Sequence, residues 1–205
     1  MSLSARRSVT AVVLVVGAVV LSIDLRLPQG STEFLVLGVA LALVWSIPTI
    51  LFGPSGGRGR TGPWGDLALG AVGGVVMYGL FVAGQAVGEH ISWFAGPIRN
   101  ILDKADAGPS VLITAVALLN GVAEELFFRG SLIDALDPRR PRAHVIAFVT
   151  YVVVTALVGN IALTVAAIVM GAVLAAERWF TDALFAPIAT HVVWSLLVIV
   201  ALPRP

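Results

Sequence analysis

The sequence predicts an all-α bundle of about seven transmembrane helices around an intramembrane polar cavity, and three observations predict it. The chain of 205 residues is 58% hydrophobic and only 12% charged, with a mean hydropathy of +0.97, whereas charged residues make up about a quarter of a soluble domain. Apolar runs approaching 20 residues recur along it, each able to cross a ~30 Å hydrocarbon core as a helix. The runs are continuous rather than alternating, which selects helices over barrel strands where no water can satisfy the backbone.

Taken in order, the expected segments are Val9–Ile23, Phe34–Phe52, Leu67–Val87, Ser110–Ile133, His144–Val158, Ile161–Ala176 and Leu184–Leu202. The first follows Arg6 and Arg7 and resembles a signal peptide in its charge. It continues through Ile23 without a small-residue cleavage site, so it reads as a first span. Between the second and third spans, Gly53–Gly65 (GPSGGRGRTGPWG) reads as a loop punctuated by Gly and Pro. The third carries Gly70 and Gly74 in GxxxG spacing, which suits close helix packing. Glu89–Pro109, with Trp93, Phe94, Arg99 and Lys104, suits a segment lying in the membrane interface. Trp64, Trp93 and Trp179 near span ends fit an aromatic belt. With neither an internal repeat nor a soluble insertion in view, residues 1–205 read as one integral membrane domain.

Net charge is +1, too small for a nucleic-acid surface, and the apolar runs make the lipid bilayer the expected partner. The chain has no cysteine, which excludes disulfides, thiol catalysis and Cys-ligated metal. Arg6, Arg7, Arg58, Arg60, Arg139, Arg140, Arg142 and Arg178 fall on one side of the predicted topology; Arg26, Arg99, Lys104 and Arg204 fall on the other. Positive-inside bias then places the N-terminus in the cytoplasm of a multi-pass cell-membrane protein. The basic loop Pro138–Arg142 serves that topology first and contact with anionic lipid second.

Function is concentrated in the run Val111–Ile133, which contains Glu124, Glu125 and Arg129. An ionisable residue at such a depth costs about 2.5–3.5 kcal/mol on insertion scales and therefore marks a functional site. Glu125 and Arg129 are i, i+4 with the acid first, the favourable order for a pair on one helix face. Glu124 points elsewhere, with Asn120 one turn before it, and is left to activate a water or bind a metal. A buried ion-pair network that merely orients helices is the competing reading. Of the three histidines, His90 and His144 lie near span ends; His191 lies inside the last run, one turn from Ser195. At the helical rise Glu124 is roughly 20 Å, and His191 roughly 10 Å, from the basic side, so tilt permits a shared site.

The string Glu124-Glu125-Leu126-Phe127-Phe128-Arg129-Gly130 resembles the EExxxR signature of the CPBP family, which contains CAAX prenyl endopeptidases and bacterial Abi-type intramembrane proteases. Leu184-Phe185-Ala186-Pro187-Ile188 followed by His191 is similar to the family's final motif, and the resemblance spans roughly Leu112–Leu197, a core of about 110–200. The helices of 9–90 match only as generic spans. The resemblance implies a cavity open toward the cytoplasm and an intramembrane endopeptidase acting on a peptide or membrane-protein substrate. In it Glu124 activates water, Glu125 and Arg129 hold the geometry, and His191 with the polar residue a turn later contacts a metal or the oxyanion. It allows zinc, as in a metalloprotease. Two departures stand out: the histidine expected after the EExxxR helix is missing, leaving Asn160 and then Thr155 as the nearest polar residues, and Ser195 stands where the family has Asn. Glu124 and His191 alone fall short of the three protein ligands of a catalytic zinc. The alternative is a catalytically inactive relative acting as a membrane scaffold or a peptide-toxin immunity protein. A transporter would explain buried charge but has no repeat behind it.

Overall fold

The computed structural model describes residues 2–53, 57, 59–105 and 111–201, and those residues form helices and connections without a strand. The helices are α1 (Leu3–Asp24), α2 (Thr32–Phe52), α3 (Gly62–Gly88), α4 (Ser92–Ala105), α5 (Val111–Leu136), α6 (Pro141–Ala156), α7 (Ile161–Thr181) and α8 (Phe185–Ala201). The starts follow from local chemistry. The Ser2 and Ser31 hydroxyls accept from the Ala5 and Phe34 amides at 3.3 and 3.1 Å, and the Asn160 side chain does the same for Leu163 at 3.1 Å. Pro63 and Pro141 occupy first turns, where a missing N–H costs nothing. The expected loop Gly53–Gly65 is therefore shorter than read: its last four residues are already helical, because Pro63 starts a helix there instead of breaking one. Of that loop, residues 54–56 and 58 lie outside the described residues, as do the chain ends of the segments expected at Ser110 and Leu202, the side chain of Lys104, and Arg204.

Five helices (α1, α2, α3, α5 and α7) are long and apolar enough to cross a membrane, while α6 and α8 are shorter apolar helices of 16 and 17 residues. Both short helices coincide with expected spans, and both are held among the longer ones. Helix α8 lies along α3 and α5, and α6 packs on α7. Helices alternate in direction, so the bundle has two ends. The arginine-rich end collects the start of α1, the end of α5 and the α7–α8 connection. There Arg6 pairs with Asp134 at 3.2 Å and Arg7 donates to the Ala135 carbonyl at 2.9 Å. The far end collects the α1–α2 connection, α4 and the α6–α7 connection; Ala95 and Ile98 of α4 are buried there while Trp93 and Arg99 are exposed.

The core is centred on the motif helix. Trp45 is fully buried, with ring centroids 4.6 Å from Phe127 and 5.1 Å from Phe128, and Phe128 meets Tyr151 edge-on at 5.2 Å. Gly17 lies directly under the Trp45 ring, leaving no room for a Cβ. Gly70 and Gly74, the expected packing pair, meet α8 within the same chain: a Cβ on Gly74 would stand 2.7 Å from Val193 Cβ. The GxxxG surface is thus covered intramolecularly.

Candidate active site

The motif helix is not a continuous α-helix. It widens into a π-turn over Leu126–Ser131 (LFFRGS), immediately after the two glutamates. π-turns loosen the i→i−4 ladder and concentrate at functional sites. Two carbonyls of this turn find outside donors: the Arg178 Nε donates to Arg129 O at 3.0 Å, and Thr49 reaches Leu126 O at 3.5 Å while its hydroxyl contacts Ser131 Oγ at 3.1 Å. The turn carries Arg129 inward, where it is 2% exposed.

Glu125 is fully buried, and its Oε1 accepts two hydrogen bonds. Arg129 Nη1 donates from 3.1 Å, as the i, i+4 spacing predicts, and His191 Nδ1 of α8 donates from 2.8 Å. Arg129 also donates to the Gly171 carbonyl at 3.4 Å and lies 4.4 Å from the centre of the Tyr151 ring. The guanidinium is thus held on three sides. With Nδ1 engaged by a carboxylate, Nε2 is the histidine nitrogen left for other chemistry, the same tautomer-fixing device as a carboxylate behind a catalytic or metal-bound imidazole. His191 can come this close because it packs on Gly121, where a Cβ would stand 3.2 Å from its Cδ2.

Glu124 makes no hydrogen bond or ion pair among the described residues. It lines a cavity of about 270 Å³ with Asn120 and Asp24. Asn120 donates to Gly38 O and Val116 O at 2.9 and 3.0 Å, which leaves its buried Oδ1 unpartnered. Asp24, the last residue of α1, is 4% exposed with its Oδ1 likewise unpartnered. Glu124 and two unpartnered acceptor atoms therefore share one cavity, an arrangement that suits water or a substrate N–H. Sequence reading missed Asp24, because an acid at a span end reads as a helix boundary. It allowed Glu124 and His191 a shared site; the histidine's hydrogen bond goes to Glu125.

The cavity reaches from Glu124 toward the far end of the bundle, past Leu25 and Gln29 of the α1–α2 connection and Val198 and Ile199 of α8. That end is opposite the arginine-rich one. A cytoplasm-facing cavity and a cytoplasmic N-terminus, both expected, are therefore incompatible in this structure.

The remaining candidates are placed elsewhere. Asn160 caps α7 and donates to Pro97 O at 3.2 Å, so its amide is occupied at the helix start rather than at the glutamates. Thr155 donates to Tyr151 O at 3.0 Å within its own helix. Ser195 is buried one turn beyond His191. Zinc does not fit this donor set. Glu125 Oε1 is taken by Arg129 and His191, Asn160 and Thr155 are engaged with backbone, and among the described residues no three His, Cys, Asp or Glu side chains are grouped to hold a metal ion.

Residues 106–197, which contain the π-turn, both glutamates and His191, match the family model described as type II CAAX prenyl endopeptidase Rce1-like. That match covers 92 of the chain's 205 residues and supports the resemblance to the CPBP family carried by the EExxxR string. The matched family is one of CAAX-type intramembrane proteases, and the five long apolar helices are in keeping with a membrane protein. No curated protein and no solved structure matches the chain. The matched segment opens just before α5 and closes within α8, so α1–α4 lie outside it, although Asp24 of α1 and Gly38 of α2 line or brace the Glu124 cavity.

Proposed function

We propose that this chain is a CPBP-type intramembrane endopeptidase that hydrolyses peptide bonds of membrane-associated substrates with a water activated by Glu124. The observation that carries the reading is the asymmetry of the two adjacent glutamates: Glu125 is tied through Oε1 to Arg129 and His191, its Oε2 buried without a partner, while Glu124 faces the cavity with no hydrogen bond or ion pair among the described residues. Glu124 takes a proton from the water as its oxygen attacks the scissile carbonyl carbon. His191, as the imidazolium with Nδ1–H held by Glu125, donates through Nε2–H to the developing oxyanion. When the C–N bond breaks, the carboxylic acid form of Glu124 returns its proton to the leaving amine. Asp24 and Asn120 Oδ1 orient the water by accepting its second hydrogen. Water and one base supply the whole balance, and no metal-dependent step is invoked.

The inactive-relative reading has one observation in its favour: the helix after the motif offers Thr155, bonded to its own backbone, where the family has a histidine. The test is a comparison of membrane-protein N-termini in cells expressing wild type or Glu124→Gln at matched levels. New termini confined to wild type are expected and would name the substrate. Identical termini, with both proteins folded and abundant, would leave the scaffold or immunity reading standing.

A further inference from the structure

A second polar cavity, of about 420 Å³, opens at the arginine-rich end, lined by Arg60, Asp134, Pro138, Arg139, His144, Arg178, Trp179 and Asp182 among others. The charges in it do not cancel internally. Asp134 is paired with Arg6 at 3.2 Å and Asp182 with Arg178 at 2.9 Å. Arg60 and Arg139 are exposed and make no side-chain hydrogen bond or ion pair among the described residues, which leaves two positive charges facing the cavity. His144 supplies a separate indication. It is 8% exposed, its Nε2 is 3.2 Å from the Pro138 carbonyl and must donate to it, and its Nδ1 is buried without a partner. An imidazole so held becomes fully satisfied once protonated beside an acceptor anion.

We propose that this cavity binds the phosphate of an anionic phospholipid headgroup. The lipid source is favoured over a soluble anion by what surrounds the cavity. Trp179 on its wall and Phe180 beside it are 40% and 65% exposed, at the end of a membrane-crossing helix, where acyl chains and glycerol would lie against them. The site is also coupled to the motif helix. Arg178 holds Asp182 at the cavity with Nη1 and donates with Nε to the carbonyl of Arg129 in the π-turn. A bound headgroup therefore stabilises the residue that braces the turn. This inference stands apart from catalysis and survives if the chain proves inactive.

The test is lipid binding by purified full-length protein in nonionic detergent, read by native mass spectrometry and thermal melting, with phosphatidylglycerol, phosphatidylcholine and inorganic phosphate as probes. Wild type is expected to bind phosphatidylglycerol at least tenfold more tightly than phosphatidylcholine and to melt higher with it. An arginine near an anionic surface contributes roughly five-fold, so the double variant Arg60→Gln/Arg139→Gln should lose roughly 30-fold. Arg142→Gln, at an exposed position in the first turn of α6 and outside the cavity lining, should bind as wild type. Should the double variant not fold, Arg139→Glu alone, on an exposed loop, is expected to abolish the preference. Equal binding of both lipids, or a preference that survives these substitutions, overturns the site. Protection by inorganic phosphate alone, without lipid preference, overturns the lipid assignment and leaves a soluble-anion site.

Discussion

Glu125 and Arg129 illustrate how little of a buried ion pair is expendable. Removing the arginine leaves a fully buried carboxylate facing a histidine, and breaking such a pair from one side costs about 3–5 kcal/mol. Arg129→Ala should therefore lower thermal stability in detergent by that order and abolish cleavage with it. A melting temperature unmoved by the substitution would contradict the structural role of the pair. Asp24 makes the opposite case. Its Oδ1 has no partner, so Asp24→Asn removes a charge without breaking a bond. Stability should hold or rise, while the initial cleavage rate falls about tenfold, within the range of a positioned proton-handling group. The pair at Glu125 was legible in the sequence because i, i+4 spacing is local. The His191 contact was not, since it joins residues 66 positions apart on different helices, and only packing decides which of two adjacent glutamates receives it.

Elements were legible where hydrophobicity alone determines them. Every expected span has a helix within a few residues of its described ends. The π-turn was invisible, because nothing in Leu126–Ser131 distinguishes a widened turn by composition; it exists because Thr49, Arg178 and Gly171 surround it. The glycines of α3 show the same division. GxxxG spacing announced a close approach but not its partner. Gly74→Leu should force α3 from α8 and destabilise by about 1–3 kcal/mol. Gly79→Ala, where a Cβ meets nothing within 4 Å, should be neutral or gain up to about 1 kcal/mol in helix propensity. Thermal melts of the two variants side by side check both statements, and equal losses would show that the α3–α8 contact is not tight.

At the scale of the whole molecule the unresolved tension is direction. From loop charge the arginine-rich end is expected in the cytoplasm, whereas the Glu124 cavity reaches toward the other end. The absence of cysteine makes this measurable without background. Single cysteines at Thr32 and Arg142, both exposed and at opposite ends, should react with an impermeant maleimide from opposite sides. Labelling of Thr32→Cys from outside intact cells is expected, which would have substrates approach from the outer face; labelling of Arg142→Cys instead would invert the protein. The cavity was not readable from the sequence, because its walls come from four helices that sequence distance separates.

The widened turn after Glu125 also bears on how this chain tolerates a change of length. A π-turn accommodates about one residue more than an α-helix of the same rise, so the span holds its own slack at Leu126–Ser131. Loss of one residue there can be absorbed by tightening to α-helix, without shifting either end of the helix through the bilayer. Loss of one residue between Asn120 and Glu124 has no such reserve: it rotates the face bearing Asn120 by about 100° relative to the glutamates. The same six residues that bring the arginine inward are thus the part of the helix most free to change its count.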